Sequence, residues 1–148
     1  MKVAIIGQGY VGLTVAAFAG EYFKVVGFDN NSKIVDQLNK GISHIEGVES
    51  SVLQHLIKAE RFQATSNGNE ISNVDVILIA VPTPLTADRK PDLSYIDAAC
   101  KTIGENISNP VLVINESTSF PGTLRNYIKP AIEKYSNKPV EHMYAISP

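Results

Sequence analysis

Residues 1–20 read MKVAIIGQGYVGLTVAAFAG, and GQGYVG at 7–12 places three glycines within six positions. A basic Lys2, an apolar run and Ala17-Phe18-Ala19 together imitate a secretory leader with its cleavage site. Gln8, Gly9, Tyr10 and Gly12 argue against a leader, because they break the run where one needs uninterrupted helix formers. The apolar period also changes at the glycines. Val3-Ala4-Ile5-Ile6 is continuous, as in a strand buried on both faces of a parallel sheet. Leu13, Ala16, Ala17 and Gly20 recur at helical spacing, with side chains small enough for close packing on a sheet. The stretch therefore reads as strand, glycine turn, helix.

Glycines by themselves only permit a tight turn; a dinucleotide fingerprint also requires a second strand ending in an acid about 20 residues on. Lys24-Val25-Val26-Gly27-Phe28 reads as that strand, and Asp29 closes it. The physical roles follow. Gly7 makes the turn, Gly9 lets backbone approach a pyrophosphate, and Gly12 lets the helix lie against the strand. The helix N-terminus offers free N–H groups to phosphate oxygens. A carboxylate at Asp29 accepts hydrogen bonds from an adenosine ribose and repels a 2′-phosphate, which favours NAD over NADP.

Composition sets bounds. A chain of 148 residues is one domain by size, with 44% hydrophobic and 19% charged residues as in ordinary globular proteins. A formal net charge of -2 leaves no electrostatic footprint for nucleic acid or an anionic membrane, and no apolar run approaches a membrane span. The single cysteine excludes an intrachain disulfide framework and fits a reducing, cytoplasmic setting.

The rest of the chain alternates strand and helix. Ile34, Val35 and Leu38 mark a helix stopping at Gly41, and Val52, Leu53, Leu56 and Ile57 mark another. A short strand is expected over 61–64, then a polar loop over 65–69. Further strands are expected over 74–81, 111–114 and 143–147. Helices carry Leu93, Ile96, Cys100 and Ile103, then Leu124, Ile128, Ile132 and Tyr135, the latter kinked near Pro130. Six strands with helical crossovers predict a Rossmann-type α/β doubly wound parallel sheet in the order 3-2-1-4-5-6, a single domain over 1–148.

Ligands of such sheets sit beyond the carboxyl ends of the strands. There the sequence places GQGYVG, Asp29, Val81-Pro82-Thr83-Pro84, and Asn115-Glu116-Ser117-Thr118. Pro82 and Pro84 fit a nicotinamide-side edge and equally fit simple strand terminators.

GQGYVGL, VPTPLTADRKPDLSYI and ESTSFPGT, in that order and spacing, resemble the N-terminal domain of the UDP-glucose/GDP-mannose dehydrogenase family over the whole chain. GISHIEGV and the wording of the two later motifs resemble the branch acting on UDP-N-acetylhexosamines. The resemblance implies oxidation of a sugar C6 alcohol to a carboxylate with NAD, through capture of the aldehyde by a cysteine and hydrolysis of the thioester. By motif position it implies that Gly7, Gly9, Tyr10, Val11, Gly12 and Asp29 hold the adenosine and pyrophosphate side, with Lys33 beside the ribose. Val81, Pro82 and Thr83 would border the nicotinamide side, Glu116 would contact NAD, and Thr118 would contact NAD and order the catalytic water. It further implies a UDP-sugar substrate held with the help of domains beyond this chain, and a homodimeric parent. The family's lysine, asparagine and cysteine lie beyond the chain, so these residues alone are expected to bind NAD without turning over substrate. A free-standing NAD-sensing module is the competing function, because this fold alone does not imply catalysis.

Cys100 shares its helical face with Leu93, Ile96 and Ile103 and is expected to pack as a small hydrophobe, not to act as a nucleophile. His44 lies in a Gly-flanked loop and reads as a loop residue first and a substrate contact second, while His55 and His142 have no metal-ligand partner at useful spacing. Arg89 and Lys90 could reach a diphosphate from their loop, but read first as a solvated pair.

Overall fold

The computed structural model describes residues 1–147. Six parallel strands pair in the order β3-β2-β1-β4-β5-β6. They are β1 (Lys2–Ile6), β2 (Lys24–Phe28), β3 (Phe62–Thr65), β4 (Val76–Ile79), β5 (Leu112–Asn115) and β6 (Met143–Ile146). The crossovers carry α1 (Tyr10–Gly20), α2 (Ser32–Asn39), α3 (Ser50–Lys58), α4 (Ser94–Asn106) and α5 (Lys129–Tyr135). This is the doubly wound order expected from the sequence. Its switch point lies at β1, which pairs with β2 on one side and β4 on the other.

The alternation of side chains along each strand divides the core between the two faces. Val3, Ile5 and Val25 pack with Leu13, Ala16, Leu38, Leu53 and Leu56 of α1–α3. Ala4, Ile6, Val26 and Phe28 pack with Ile96, Cys100 and Ile103 of α4 and Ile132 of α5. A strand covered on both faces must be apolar throughout, which is why β1 reads as an unbroken run.

β3, β5 and β6 differ from their expected limits by single residues, and three larger departures stand out. β4 covers Val76–Ile79, not 74–81. Asp75 still pairs through its backbone, donating to Lys2 O (2.8 Å) and accepting from the Leu112 N–H (3.2 Å), and its carboxylate also accepts the Lys2 N–H (2.7 Å). At the other end the Val81 N–H leaves the ladder for Ser117 Oγ (2.9 Å). The expected loop after β3 contains a 3₁₀ turn, Gly68–Ile71, capped by the Asn67 side chain on the Asn69 N–H. The expected last helix changes type just ahead of Pro130. A π-helical turn over Leu124–Ile128 leads into α5, and Pro130 sits in the first turn of that helix. Proline lacks an N–H and its ring crowds the carbonyl four residues back, so a wider turn ahead of it removes the conflict.

Candidate functional site: a cleft at the carboxyl edge

β1 delivers Gly7 with φ +93°, a left-handed conformation that a side chain would strain. Its N–H donates to Phe28 O (2.8 Å), tying the turn to the end of β2. The turn then rises into α1, and Gly12 lies directly against the Gly7 carbonyl. The first backbone bond of α1 runs from Leu13 N–H to Gly9 O (2.9 Å), with no side-chain cap and no acid in the first turn. The N–H groups ahead of Leu13 therefore point at the space beyond the turn, where the helix dipole favours an anion. Nothing lies within 4 Å of where a Cβ on Gly9 would stand. The floor of that space is open backbone.

Asp29 faces the same space, half-buried. Its Oδ2 accepts the Gln8 N–H (2.8 Å) and its Oδ1 the Asn31 N–H (2.9 Å). Two backbone donors thus hold the carboxylate, and its remaining lone pairs are free to accept from hydroxyls. A cleft of about 370 Å³ runs between the turn, the end of β2, Val81-Pro82 and the outer side of α4. Five of the candidate residues, Gly7, Gly9, Asp29, Val81 and Pro82, line it. Tyr10 and Val11 are exposed on the first turn of α1, and Gly12 is buried beneath it. Lys33 projects exposed from α2, outside the cleft lining; its N–H is taken by Asn31 Oδ1 (3.1 Å).

Thr83, Glu116 and Thr118 occupy the neighbouring edge, past β4 and β5, and do not line the cleft. Ser117 laces the two strand ends together: its Oγ accepts the Val81 N–H and donates to Ile79 O (3.3 Å). The Glu116 N–H also donates to Ile79 O (2.9 Å). Buried Asn115 donates to Ser117 O (3.0 Å) and Ser119 Oγ (3.2 Å), fixing the loop that carries exposed Thr118. Four larger hollows, two beside α5 and β6 and two around the amino-terminal ends of β1 and β2, contain none of these groups.

Sequence reasoning missed two contributors. Tyr95, Ala98, Ala99 and Thr102 of α4 form the far wall. Their signal was the i, i+3, i+4, i+7 spacing, overshadowed by the apolar stripe on the adjoining face. Gln8 counted only as an interruption, yet it is wholly buried.

The other candidates fall outside the site. His44 and His55 are exposed. His142 is buried and accepts the Val111 N–H at Nδ1 (3.3 Å), a structural role that its sequence surroundings did not show. Cys100 is buried at 0% exposure; burial first, then the Asp97 carboxylate, pushes its thiol up to about 12. Among the described residues no cluster of His, Cys, Asp or Glu could hold a metal, and no helix is long and apolar enough to cross a membrane.

A glycine turn opening a helix, a clamped acid ending β2 and a cleft at the switch point define a Rossmann-type dinucleotide-binding domain. Residues 1–148 match the UDP-glucose/GDP-mannose dehydrogenase family, NAD binding domain, and the chain belongs to that family. It is 40% identical over 144 residues to a UDP-N-acetyl-D-mannosamine dehydrogenase of Campylobacter jejuni, covering 95% of this chain and 35% of that protein. It is 35% identical over 136 residues to a UDP-N-acetyl-D-glucosamine 6-dehydrogenase of Pseudomonas aeruginosa, covering 92% and 32%. A ternary complex of GDP-mannose dehydrogenase from Pseudomonas aeruginosa superposes with a TM-score of 0.87 at 30% identity, over 100% of this chain and 36% of that one. The chain thus spans about a third of the length of these relatives.

Proposed function

We propose that residues 1–148 are the cofactor half of an NAD-dependent nucleotide-sugar 6-dehydrogenase, acting on a UDP-hexose or UDP-N-acetylhexosamine in the synthesis of polysaccharide precursors. The observation that carries this reading is the Asp29 carboxylate, held by two backbone N–H groups beside an uncapped helix N-terminus. The names of the relatives favour the N-acetylhexosamine.

The residues present fit NAD. Asp29 accepts the adenosine ribose hydroxyls, with Lys33 outside them. Gly7, Gly9 and Gly12 give the pyrophosphate its approach, and the N–H groups of Tyr10 and Val11 meet its oxygens. Val81, Pro82 and Thr83 border the nicotinamide side, and Glu116 contacts the cofactor from the adjacent strand end. When bound, NAD supplies the hydride acceptor. Thr118, presented by the loop that Asn115 braces, contacts it and holds the water that hydrolysis needs. In this reading the enzyme is cytoplasmic and homodimeric, takes no nucleic-acid or membrane partner, and draws its thiol and uridine-binding groups from other domains.

The test pairs two measurements on this chain. Calorimetry should show saturable NAD binding. Absorbance of reduced nicotinamide should show no turnover with UDP-glucose, UDP-N-acetylglucosamine or UDP-N-acetylmannosamine, since groups acting as a unit lose nearly all their rate together. NADH production abolished by Thr118→Ala would place the whole chemistry here instead.

A further inference from the structure

Gln8 is the one long polar side chain of the glycine turn, and it points inward. At 0% exposure it lies beneath the turn, where Nε2 donates to Ile5 O (2.9 Å) and Gly7 O (3.3 Å). Its backbone N–H meanwhile donates to Asp29 Oδ2 (2.8 Å). Its Oε1 is buried and accepts no hydrogen bond among the described residues. Burying an amide with an unpaired acceptor costs free energy that a hydrocarbon of the same size would not. The space it fills exists because β2 has a glycine opposite: a Cβ on Gly27 would stand 2.5 Å from Gln8 Oε1 and 2.6 Å from its Cδ.

From this arrangement we infer that Gln8 is a positioning residue for cofactor binding, size-matched to Gly27. Its amide ties the last turns of β1 to the left-handed Gly7, which sets the phosphate-binding backbone. Its N–H holds the ribose carboxylate at a fixed distance from that backbone. One residue thereby fixes the spacing between the pyrophosphate and ribose sites without touching either ligand. An apolar side chain would fill the volume but leave the carbonyls of Ile5 and Gly7 without these bonds. Any side chain at position 27 would expel the amide and carry the turn with it. The inference rests on the NAD-site reading above.

The experiment compares the unmodified chain with Gln8→Met, Gly27→Ala, Gln8→Ala and the Gln8→Ala/Gly27→Ala double variant, using calorimetry with NAD, ADP-ribose and AMP beside thermal melts. Gln8→Met keeps length and burial, so it should melt within a few degrees of the unmodified chain. It should bind NAD and ADP-ribose at least tenfold more weakly and AMP less than threefold more weakly, because AMP brings only one of the two phosphates to the turn. Gly27→Ala should weaken NAD strongly in the presence of Gln8 and only slightly in the Gln8→Ala background. Folded Gln8→Met with NAD affinity within twofold of the unmodified chain would reduce Gln8 to filler. Equal losses for AMP and NAD, or a Gly27→Ala penalty independent of residue 8, would also overturn the inference. Failure of the unmodified chain to bind NAD at all would refute the site reading itself.

Discussion

Gly12 and Gly7 touch through bare backbone: a Cβ on Gly12 would stand 1.8 Å from the Gly7 carbonyl oxygen. No rotamer relieves a backbone clash, so Gly12→Ala must push α1 off the sheet. It should cost about 3 kcal/mol or more, the upper end of overpacking penalties. Gly9 has φ -74° and open space in front, so Gly9→Ala should fold with a stability change within about 0.5 kcal/mol. It should still weaken NAD by obstructing the pyrophosphate. Denaturant melts and calorimetry on the two variants separate the effects. A Gly9→Ala domain binding NAD normally would remove that glycine from the site.

Asp29 should select NAD over NADP. Charge-assisted hydrogen bonds contribute about 1.5–3 kcal/mol, so Asp29→Ala should weaken NAD roughly ten- to hundredfold. The same change strands the N–H groups of Gln8 and Asn31, and stability should drop by about 1–3 kcal/mol. Titration of both nucleotides into both proteins checks this; equal NAD and NADP affinities in the unmodified domain would contradict it.

Cys100 should behave as core. With its thiol pushed up to about 12, almost no thiolate forms near neutrality, and the thiolate is the reactive species. Labelling by an aromatic disulfide should be slow in the native protein, fast after denaturation and insensitive to NAD. Rapid native labelling would show that α4 opens far more readily than its packing indicates.

His142 should make stability depend on pH. Because its Nδ1 accepts the Val111 N–H, the imidazole is neutral with its proton on Nε2. Burial holds its pKa below the usual 6.5, with Glu133 opposing. The unfolded chain therefore binds the proton more readily than the fold does. Stability is complete above 6.5 and declines as pH falls through that value toward the lower folded one. Melting temperature should be level above about pH 7 and fall toward pH 5. His142→Gln, which keeps an acceptor but cannot take up the proton, should flatten that decline. An unchanged slope would assign it to other groups.

Much of this was legible in the sequence because local chemistry and tertiary role coincide there. Val3–Ile6 can only be a doubly covered strand, and Gly7, Gly12 and Asp29 stand at spacings set by backbone geometry. The strand order followed from the alternation of six strands with helical crossovers, whose simplest doubly wound arrangement is this one. The limits of β4 were not legible, because Ser117, 36 positions from Val81, takes the hydrogen bond that would have extended it. The far wall of the cleft was hidden because the ligand side of α4 mixes an aromatic, two alanines and a hydroxyl (Tyr95, Ala98, Ala99, Thr102), a weaker pattern than the large apolar residues on its core side. The inward direction of Gln8 depended on an absent side chain at Gly27, in another strand.

The central place of β1 also governs how the chain must assemble. β2 can join it after one short crossover, but Lys2 meets Asp75 across 73 positions, and the β1–β4 register cannot form until that long segment has closed. Loop closure on that scale is an entropic toll exacted before the sheet's middle pays any of it back, so this pairing should limit the folding rate. Until it forms, one edge of a strand with four successive apolar residues, Val3 to Ile6, stands open to any other extended chain. A transient species of α1–α3 with β1–β3 is thus the state most prone to self-association, and NAD, which needs β4 in place, should bind too late to protect it.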